Sequence, residues 1–495
     1  MTQSGIAATP TADELLSKPN FVEVAVPLHV AKTFIYRLPD NVIDAQVGAR
    51  ILVPLGRNLV TGYVVALHAT FPEISGLSET DVKDAAGLVD TAPICTPEIL
   101  EITRWVSDYY ASPWGEVIKA ALPPGISPAI NEFLKLTSAG QSELDTPSYE
   151  TTLRSRVLNK LAEGECKRSA LAELGTPSQL TKIVRELEES GLIERTQSSG
   201  TSAVKTKVVR FVSFNEAGAQ LDTAKRTPAQ QRILDALATN DPISMRELLK
   251  EAKVSPATVS TLQKQGVLEV FTKAVRRDPF LDATNQLPTK YILTSSQESV
   301  LKSVKAAISV NSYAAFLLHG VTGSGKTEVY IRAMRAALDE ERSAMMLVPE
   351  IALTPVFSRR LREHFGQEVA IFHSSLKRGE RFDEWTRVKN GEARIVIGTR
   401  SAVFAPVRNL GLIIIDEEHE ASYRQQDSPY YSGRDTAIVR AQKESAVVVL
   451  GSATPSLESF QNARNGKYQY LSMPERIGAR PMAEASIVDM RNVFL

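Results

Sequence analysis

From Leu293 onward the sequence alternates short, nearly unbroken apolar runs with helix-length stretches. That pattern restricts the fold more than any other feature of the chain. The runs are Ala315–Leu318, Met345–Val348, Val369–Phe372, Arg394–Ile397, Leu412–Ile415 and Val447–Leu450. A strand buried on both faces reads as continuous apolar sequence, and parallel neighbours need a long crossover between them, usually a helix. The expectation is a parallel sheet covered on both faces. Such sheets bind ligands at the carboxyl ends of their strands, so the residues after each run are the place to look for chemistry.

After the first run comes Gly320-Val321-Thr322-Gly323-Ser324-Gly325-Lys326-Thr327. Gly323 and Gly325 let the backbone curl so that its N–H groups face phosphate oxygens. Lys326 is expected to reach the terminal phosphates, and Thr327 to ligate Mg²⁺. After Leu412–Ile415 come Asp416 and Glu417, expected to hold Mg²⁺ through water and to polarise an attacking water, respectively. An acid pair at a strand end also serves simply as a helix N-cap; the P-loop upstream favours the chemical role. His419 is expected to couple nucleotide state to nucleic acid, against a purely structural role. Gly451-Ser452-Ala453-Thr454 places small hydroxyl residues after another strand and suits a relay between the two ligands. Leu293-Thr294-x-x-Gln297 stands about one helix before the P-loop strand, where a glutamine amide can read the adenine edge and favour ATP.

At 495 residues the chain is expected to hold three or four domains at about 150 residues each. Its 57 basic and 57 acidic residues exclude a polycation, although local basic patches suffice for phosphate contacts. Two distant cysteines, Cys95 and Cys166, fit neither a disulfide framework nor a zinc site, and a reducing cytoplasm suits them. No apolar run approaches the ~18 residues of a membrane span. Residues 1–20 lack an apolar core and read as a disordered tail, not a signal peptide.

Residues 21–125 read as a small β-rich domain followed by a helix over Pro97–Tyr110, with Leu122-Pro-Pro-Gly125 as a boundary. Residues 150–275 read as a degenerate repeat: Arg156–Ala162 resembles Arg232–Ala238. Each is followed by further helices (around Ser178–Glu189 and Pro256–Gln265) and a short strand after Gly191 or Gly266. That is the winged-helix pattern twice. Such modules either face DNA, here through Lys182, Arg185 and Lys264, or pack domains together. Residues 285–475 form the α/β lobe, and 476–495 the start of a further region. No role is read for 200–225.

The wording of these motifs resembles a superfamily 2 helicase, and within it the PriA replication-restart family. The resemblance rests on Gly320–Tyr330 (GVTGSGKTEVY), Val348–Pro355 (VPEIALTP), Ile397–Ala405 (IGTRSAVFA), Leu412–Glu420 (LIIIDEEHE) and Gly451–Ser456 (GSATPS). It implies a multidomain α/β chain: a β-rich domain that binds the 3′ end of a nascent strand, a winged-helix region and a RecA-like ATP-binding lobe. Tyr423-Arg-Gln-Gln426 with Tyr430–Asp435 resembles the family's aromatic-rich loop, and aromatics beside an arginine can stack on single-stranded bases. The implied DNA contacts are Arg400, Tyr423, Arg424, Tyr430 and Tyr431 in the lobe. In the β-domain they are Phe34, Ile35, Tyr36 and Gly56. The family can carry an aspartate between Phe34 and Tyr36 that bonds the 3′ hydroxyl; Ile35 cannot accept that bond.

The resemblance implies an ATP- and Mg²⁺-dependent 3′→5′ DNA helicase of the primosome. Its partners would be replication forks, single-stranded DNA, single-stranded-DNA-binding protein and primosome proteins, with no membrane. The family continues with a zinc-binding insertion and a second lobe that supplies arginines to the ATP site. Zinc is therefore expected for the family, but its cysteine ligands are not in this sequence, and an N-terminal fragment with weak hydrolysis is expected. The rivals are a non-enzymatic fork-binding scaffold and a different P-loop translocase.

Overall fold

The computed structural model describes residues 19–479 and 486, except 41, 43, 57, 73–77, 91, 127, 145–151, 203–206, 216–226, 240–241, 275–276 and 278–290. Residues 1–18 of the expected tail, and residues 480–485 and 487–495, lie outside the described residues. The chain separates into two compact units. The larger holds the β-domain, the first repeat module and the α/β lobe; the smaller holds the second module with Leu376–Asp383.

The N-terminal sheet is built from β1 (Phe21–Ala25), β2 (Phe34–Arg37), β3 (Arg50–Leu55), β4 (Asn58–His68) and β5 (Gly87–Leu88), in the order β2-β1-β4-β3-β5. Its paired strands are antiparallel, and alternation sends Val22, Val24, Tyr36, Ile51, Val53 and Val64 into one core. On the other face of β3, Arg50 is buried in a two-pronged ion pair with Asp90, Nη2 to Oδ1 2.6 Å and Nε to Oδ2 2.8 Å. Helix α1 (Pro97–Tyr110) starts on a Thr96 cap with Pro97 in its first turn and stops at Ala111, whose φ of 51° ends the helix. Helix α2 (Trp114–Ala121), which sequence periodicity did not single out, packs against it.

Next come β6 (Pro128–Leu136), α3 (Ser138–Leu144), α4 (Leu153–Ala162), β7 (Cys166–Lys167), α5 (Pro177–Glu189) and β8 (Ile193–Ser202). The smaller unit repeats the scheme with β9 (Val208–Phe214), α6 (Pro228–Thr239), β10 (Ile243–Ser244), α7 (Met245–Glu251), α8 (Pro256–Lys264) and β11 (Leu268–Ala274). In both modules the strand preceding the helices occupies the middle of its sheet, β7-β6-β8 and β10-β9-β11. Leu134, Val157, Leu161, Leu171 and Leu187 fill the first core; Val212, Ile233, Leu237, Leu248 and Val259 fill the second.

The lobe runs through α9 (Ser295–Val310), β12 (Ala314–Gly320), α10 (Lys326–Asp339), β13 (Ser343–Leu347), α11 (Pro355–Phe365), β14 (Val369–Phe372), α12 (Arg378–Asn390), β15 (Ile395–Gly398) and β16 (Leu410–Asp416). It continues with β17 (Arg424–Gln425), β18 (Tyr431–Ser432), α13 (Gly433–Lys443), β19 (Val447–Ser452), α14 (Leu457–Arg464) and β20 (Gln469–Met473). Seven strands form one sheet in the order β14-β15-β13-β16-β19-β12-β20, every pair parallel. Leu412 to Ile415 and Ala344 to Leu347 are fully buried, each large side chain contributing about 1.5–3 kcal/mol. The order sets β12, β19 and β16 side by side, so their carboxyl ends converge. Among the described residues, no helix is long and apolar enough to cross a membrane.

Candidate functional site

The loop between β12 and α10 turns on Gly323 (φ 83°) and Gly325 (φ 85°), a left-handed region that side chains other than glycine rarely adopt. Three backbone bonds hold it. Val321 N donates to Met473 O (3.2 Å), Ser324 N to Val321 O (3.0 Å) and Ile477 N to Gly323 O (3.0 Å). In the first turn of α10, Glu328 N donates to the cap carbonyl of Gly325 (3.0 Å), whereas the N–H groups that open a helix have no carbonyl four residues back to bond. Lys326 is buried, its Nζ donating to Gly320 O (2.9 Å) and lying 3.5 Å from Glu417 Oε1. Thr322 is exposed and Thr327 half-buried beside it. The buried Ser324 Oγ has no hydrogen-bond partner and packs against Gly320, whose Cβ, if present, would lie 2.8 Å from it.

Gln297 differs from the expectation. It is 2% exposed; its Oε1 accepts from Thr294 N (2.9 Å) and its Nε2 donates to Ser324 O (2.8 Å). One end of the amide closes the α9 capping box and the other braces the P-loop, so neither points out to read a base edge. Gly325 must be glycine for space as well: a Cβ there would come 2.3 Å from Gln297 Nε2.

At the end of β16, Tyr330 Oη donates to Asp416 Oδ1 (3.0 Å), and Tyr423 Oη donates to Asp416 O (2.6 Å). Burial first, and then the Glu417 carboxylate, pushes the Asp416 carboxyl above its ordinary value; the Tyr330 hydroxyl and Lys326 oppose that. Glu417 has a φ of 44°, a strained conformation for a non-glycine residue, of the kind that clusters at functional sites. Its Oε2 lies 3.4 Å from Ser452 Oγ and 3.5 Å from Ala453 N. Ser452 Oγ accepts from Thr454 N (2.9 Å) and lies 2.8 Å from His419 Nδ1. With the Ser452 proton directed at Glu417, His419 completes the set as an Nδ1–H donor. Thr454 Oγ1 is 3.5 Å from His419 Nε2. Lys326, Asp416, Glu417, His419, Ser452 and Thr454 thus meet at one place.

Three further residues belong here that motif reading passed over. Glu418 is 1% exposed and accepts from Ser456 N (2.7 Å), Ser456 Oγ (3.1 Å), Ser459 Oγ (2.8 Å) and Arg434 Nη1 (3.1 Å). Arg434 also donates through Nε to Asp435 Oδ1 (3.0 Å). Tyr330 was detectable in sequence, since it stands one helical turn after Lys326 on the same face of α10. The partners of Glu418 carry no local signal.

The aromatic loop is divided. Tyr423 is buried with its hydroxyl on Asp416, and Tyr431 is buried with its ring 5.2 Å from Phe404. Burial holds the Tyr431 hydroxyl up at about 12. Both belong to the core, which corrects their expected place as surfaces for stacking bases. Arg400 Nη1 is spent on Ser422 O (3.2 Å) and Arg424 O (3.0 Å), fixing the loop's path. Only Arg424 and Tyr430 of the five are exposed. The loop is fastened to the N-terminal helices: Ser112 Oγ donates to Tyr430 O (3.0 Å), Ser428 Oγ to Glu116 (2.7 Å), and Tyr110 Oη to Asp435 Oδ2 (3.2 Å).

In the β-domain, Phe34 and Tyr36 point into the core, Tyr36 Oη donating to Pro54 O (3.2 Å). That corrects the expected exposure of the buried Tyr36 to a strand end; Phe34, two residues away on the same face, is half-buried. Ile35 lies on the opposite face, cross-strand from Glu23. Gly56 turns the β3–β4 hairpin at φ 63° with open space at its Cα. In the repeat modules Lys182 and Arg185 are exposed and paired along α5 with Glu186 and Glu189. Among the described residues, no group of three or more His, Cys, Asp or Glu side chains could hold a metal ion.

Comparison with known proteins accords with this arrangement. Residues 23–123 match the PriA family "3′DNA-binding domain (3′BD)", and residues 294–463 match the "DEAD/DEAH box helicase" family. The replication restart protein PriA of Bacillus subtilis is 36% identical over 484 residues, covering 95% of this chain and 58% of the relative. PriA of Synechocystis is 33% identical, covering 92% of this chain and 55% of the relative. PriA of Haemophilus influenzae is 32% identical, covering 95% and 54%. The chain therefore spans a little over half the length of these curated relatives. With a 3′-DNA-binding fold and a P-loop helicase lobe in the same order, and identity that runs through both, the chain belongs to the PriA family of replication restart proteins.

Proposed function

We propose that this chain binds MgATP at the carboxyl ends of β12, β19 and β16 and forked DNA through its β-domain. Within the full length of the family, these two activities serve an ATP-dependent 3′→5′ DNA helicase. It acts at stalled or collapsed replication forks and recruits the helicase-loading machinery. The observation that carries the reading is the meeting of Lys326, at the start of α10, with Asp416 and Glu417, at the end of β16, across the intervening strand β19.

The donor set fits the nucleotide. The cradle offers the N-terminus of α10 and a buried lysine, which suit phosphate oxygens. Thr327 and Asp416 would hold Mg²⁺, which when bound offsets phosphate charge. Lys326 supplies a positive charge from a buried position. Glu417, held by Ser452 and the Ala453 amide, is placed to accept a proton from water. His419 and Thr454 lie on the solvent side of Ser452, where a change at the acids reaches the surface. Single-stranded DNA would meet Tyr430 and Arg424, with stacking supplied by the exposed ring. A 3′ end would meet the Ile35 and Gly56 side of the β-domain, its hydroxyl bonded by backbone groups because Ile35 offers no acceptor. Single-stranded-DNA-binding protein and primosome proteins are proposed as partners on family resemblance alone.

The test is ATP hydrolysis with and without a forked DNA, for the wild-type chain and Glu417→Gln. Turnover that rises with the fork and vanishes in the variant supports the reading. Equal turnover in both proteins would remove Glu417 from its assigned role.

A further inference from the structure

Tyr330 makes a contact that neither packing nor phosphate binding requires. It is 1% exposed, one turn into α10 from Lys326, and its hydroxyl donates to Asp416 Oδ1 at 3.0 Å. A phenylalanine would fill the same space, so the hydroxyl needs its own explanation. A buried hydroxyl without a partner is costly, and this one is satisfied by the carboxylate that the site would turn toward a cation.

The neighbours are built around the same oxygen. A Cβ at Gly451 would lie 1.8 Å from Tyr330 Oη and 2.9 Å from its Cζ, so strand β19 carries a glycine where the hydroxyl passes. Gly451 has no left-handed φ; the requirement is space alone. Gly451 O in turn accepts from Glu418 N (3.1 Å), and the next residue, Ser452, faces Glu417. One hydroxyl therefore joins the P-loop helix, the acid at the end of β16 and the strand carrying Ser452. Tyr423 holds the backbone carbonyl of Asp416 from another direction. The side chain has little freedom left to rotate.

We propose that Tyr330 is a positioning residue that fixes the Asp416 carboxylate for the Mg²⁺ of a bound nucleotide. Groups that orient a metal-binding carboxylate through a hydrogen bond typically change metal affinity by about 10–100-fold when removed. The inference rests on the nucleotide-binding reading above and adds the residue that sets its metal dependence.

The experiment uses the full chain and the fluorescent nucleotide N-methylanthraniloyl-ADP, titrated with Mg²⁺ and separately in EDTA. For Tyr330→Phe the Mg²⁺ concentration giving half-maximal enhancement of binding should rise about tenfold. Affinity in EDTA should stay within about twofold, because the cradle and Lys326 are untouched. Combining Tyr330→Phe with Asp416→Asn should move the Mg²⁺ midpoint no further than Asp416→Asn alone, since the tyrosine acts only through that carboxylate. An unmoved midpoint overturns the proposal. So does an equal loss with and without Mg²⁺, or a variant that no longer folds, either of which assigns the hydroxyl to structure. A wild-type chain that binds no nucleotide under either condition fails the underlying reading instead. Normal Mg²⁺-dependent binding that is indifferent to Tyr330 fails this inference alone.

Discussion

Replacing Glu418 with alanine should destabilise the lobe more than any surface change near the acids. The carboxylate is buried between Arg434 and the start of α14, and it accepts four hydrogen bonds from Arg434, Ser456 and Ser459. Alanine leaves the Ser456 amide and Ser459 hydroxyl unpaired in the interior and strips Arg434 of one of its two carboxylate partners. Removing one member of a buried charged pair costs about 3–5 kcal/mol. For a cooperative unit of this size, each kcal/mol lowers the melting temperature by about 2–4 °C, so a fall of roughly 10 °C is expected. Glu418→Gln keeps an oxygen for the serines and loses only the charge, and should cost about half as much, near 2 kcal/mol. Thermal melts followed by circular dichroism measure both. A Glu418→Ala melt within about 2 °C of wild type would refute the reasoning, because a buried carboxylate with four partners cannot be lost at surface cost.

Three other outcomes are expected. Ile35→Asp should restore an acceptor toward a strand end and raise the preference for a free over a blocked 3′ hydroxyl in a fork-binding titration. It faces Glu23 across the β1–β2 pair, so a small loss of stability, about 0.5 kcal/mol, should accompany it. Tyr430→Ala should weaken single-stranded DNA binding by about 1–3 kcal/mol without changing the melt, whereas Tyr431→Ala should lower the melt, because only the first ring is exposed. Asp416 has a folded-state pKa raised above its unfolded value, so ionising it weakens the fold as pH rises through that interval. Asp416→Asn should accordingly raise the apo melting temperature at pH 7, with the gain shrinking as the pH falls toward 4. A gain that persists unchanged at low pH would contradict the assigned cause.

The parallel sheet was legible because its central strands are apolar at every position: Leu412 to Ile415 can be buried on both faces and nowhere else. Edge strand β20, Gln469–Met473, alternates exposed and buried residues within a mixed sequence and left no such trace. The P-loop could be read because phosphate binding demands glycine at positions of positive φ, a requirement written in residue identity. The fates of Tyr423 and Tyr431 could not be read, since tyrosine serves equally as a buried ring with a satisfied hydroxyl and as an exposed stacking surface. Phe34 and Tyr36 show the opposite case: their spacing of two already placed them on one face with the valines of β1. Gln297 illustrates a third kind of limit. Its capping box with Thr294 is local and was visible as a spacing, but the bond to Ser324 spans 27 residues and depends on how α9 packs against the P-loop. Glu418 was hidden for the same reason, with partners 16 to 41 residues away.

The most direct test of the account is equilibrium binding of N-methylanthraniloyl-ADP with Mg²⁺, and of forked DNA, to the wild-type chain and to Lys326→Ala. Lys326 is buried between Gly320 O and Glu417, so alanine removes the cradle's charge while leaving the β-domain intact. Nucleotide binding should be lost, by at least about 100-fold, while fork affinity stays within about threefold, an energy gap of more than about 2 kcal/mol between the two ligands. Equal loss of both ligands, or nucleotide binding that survives without Lys326, would contradict it.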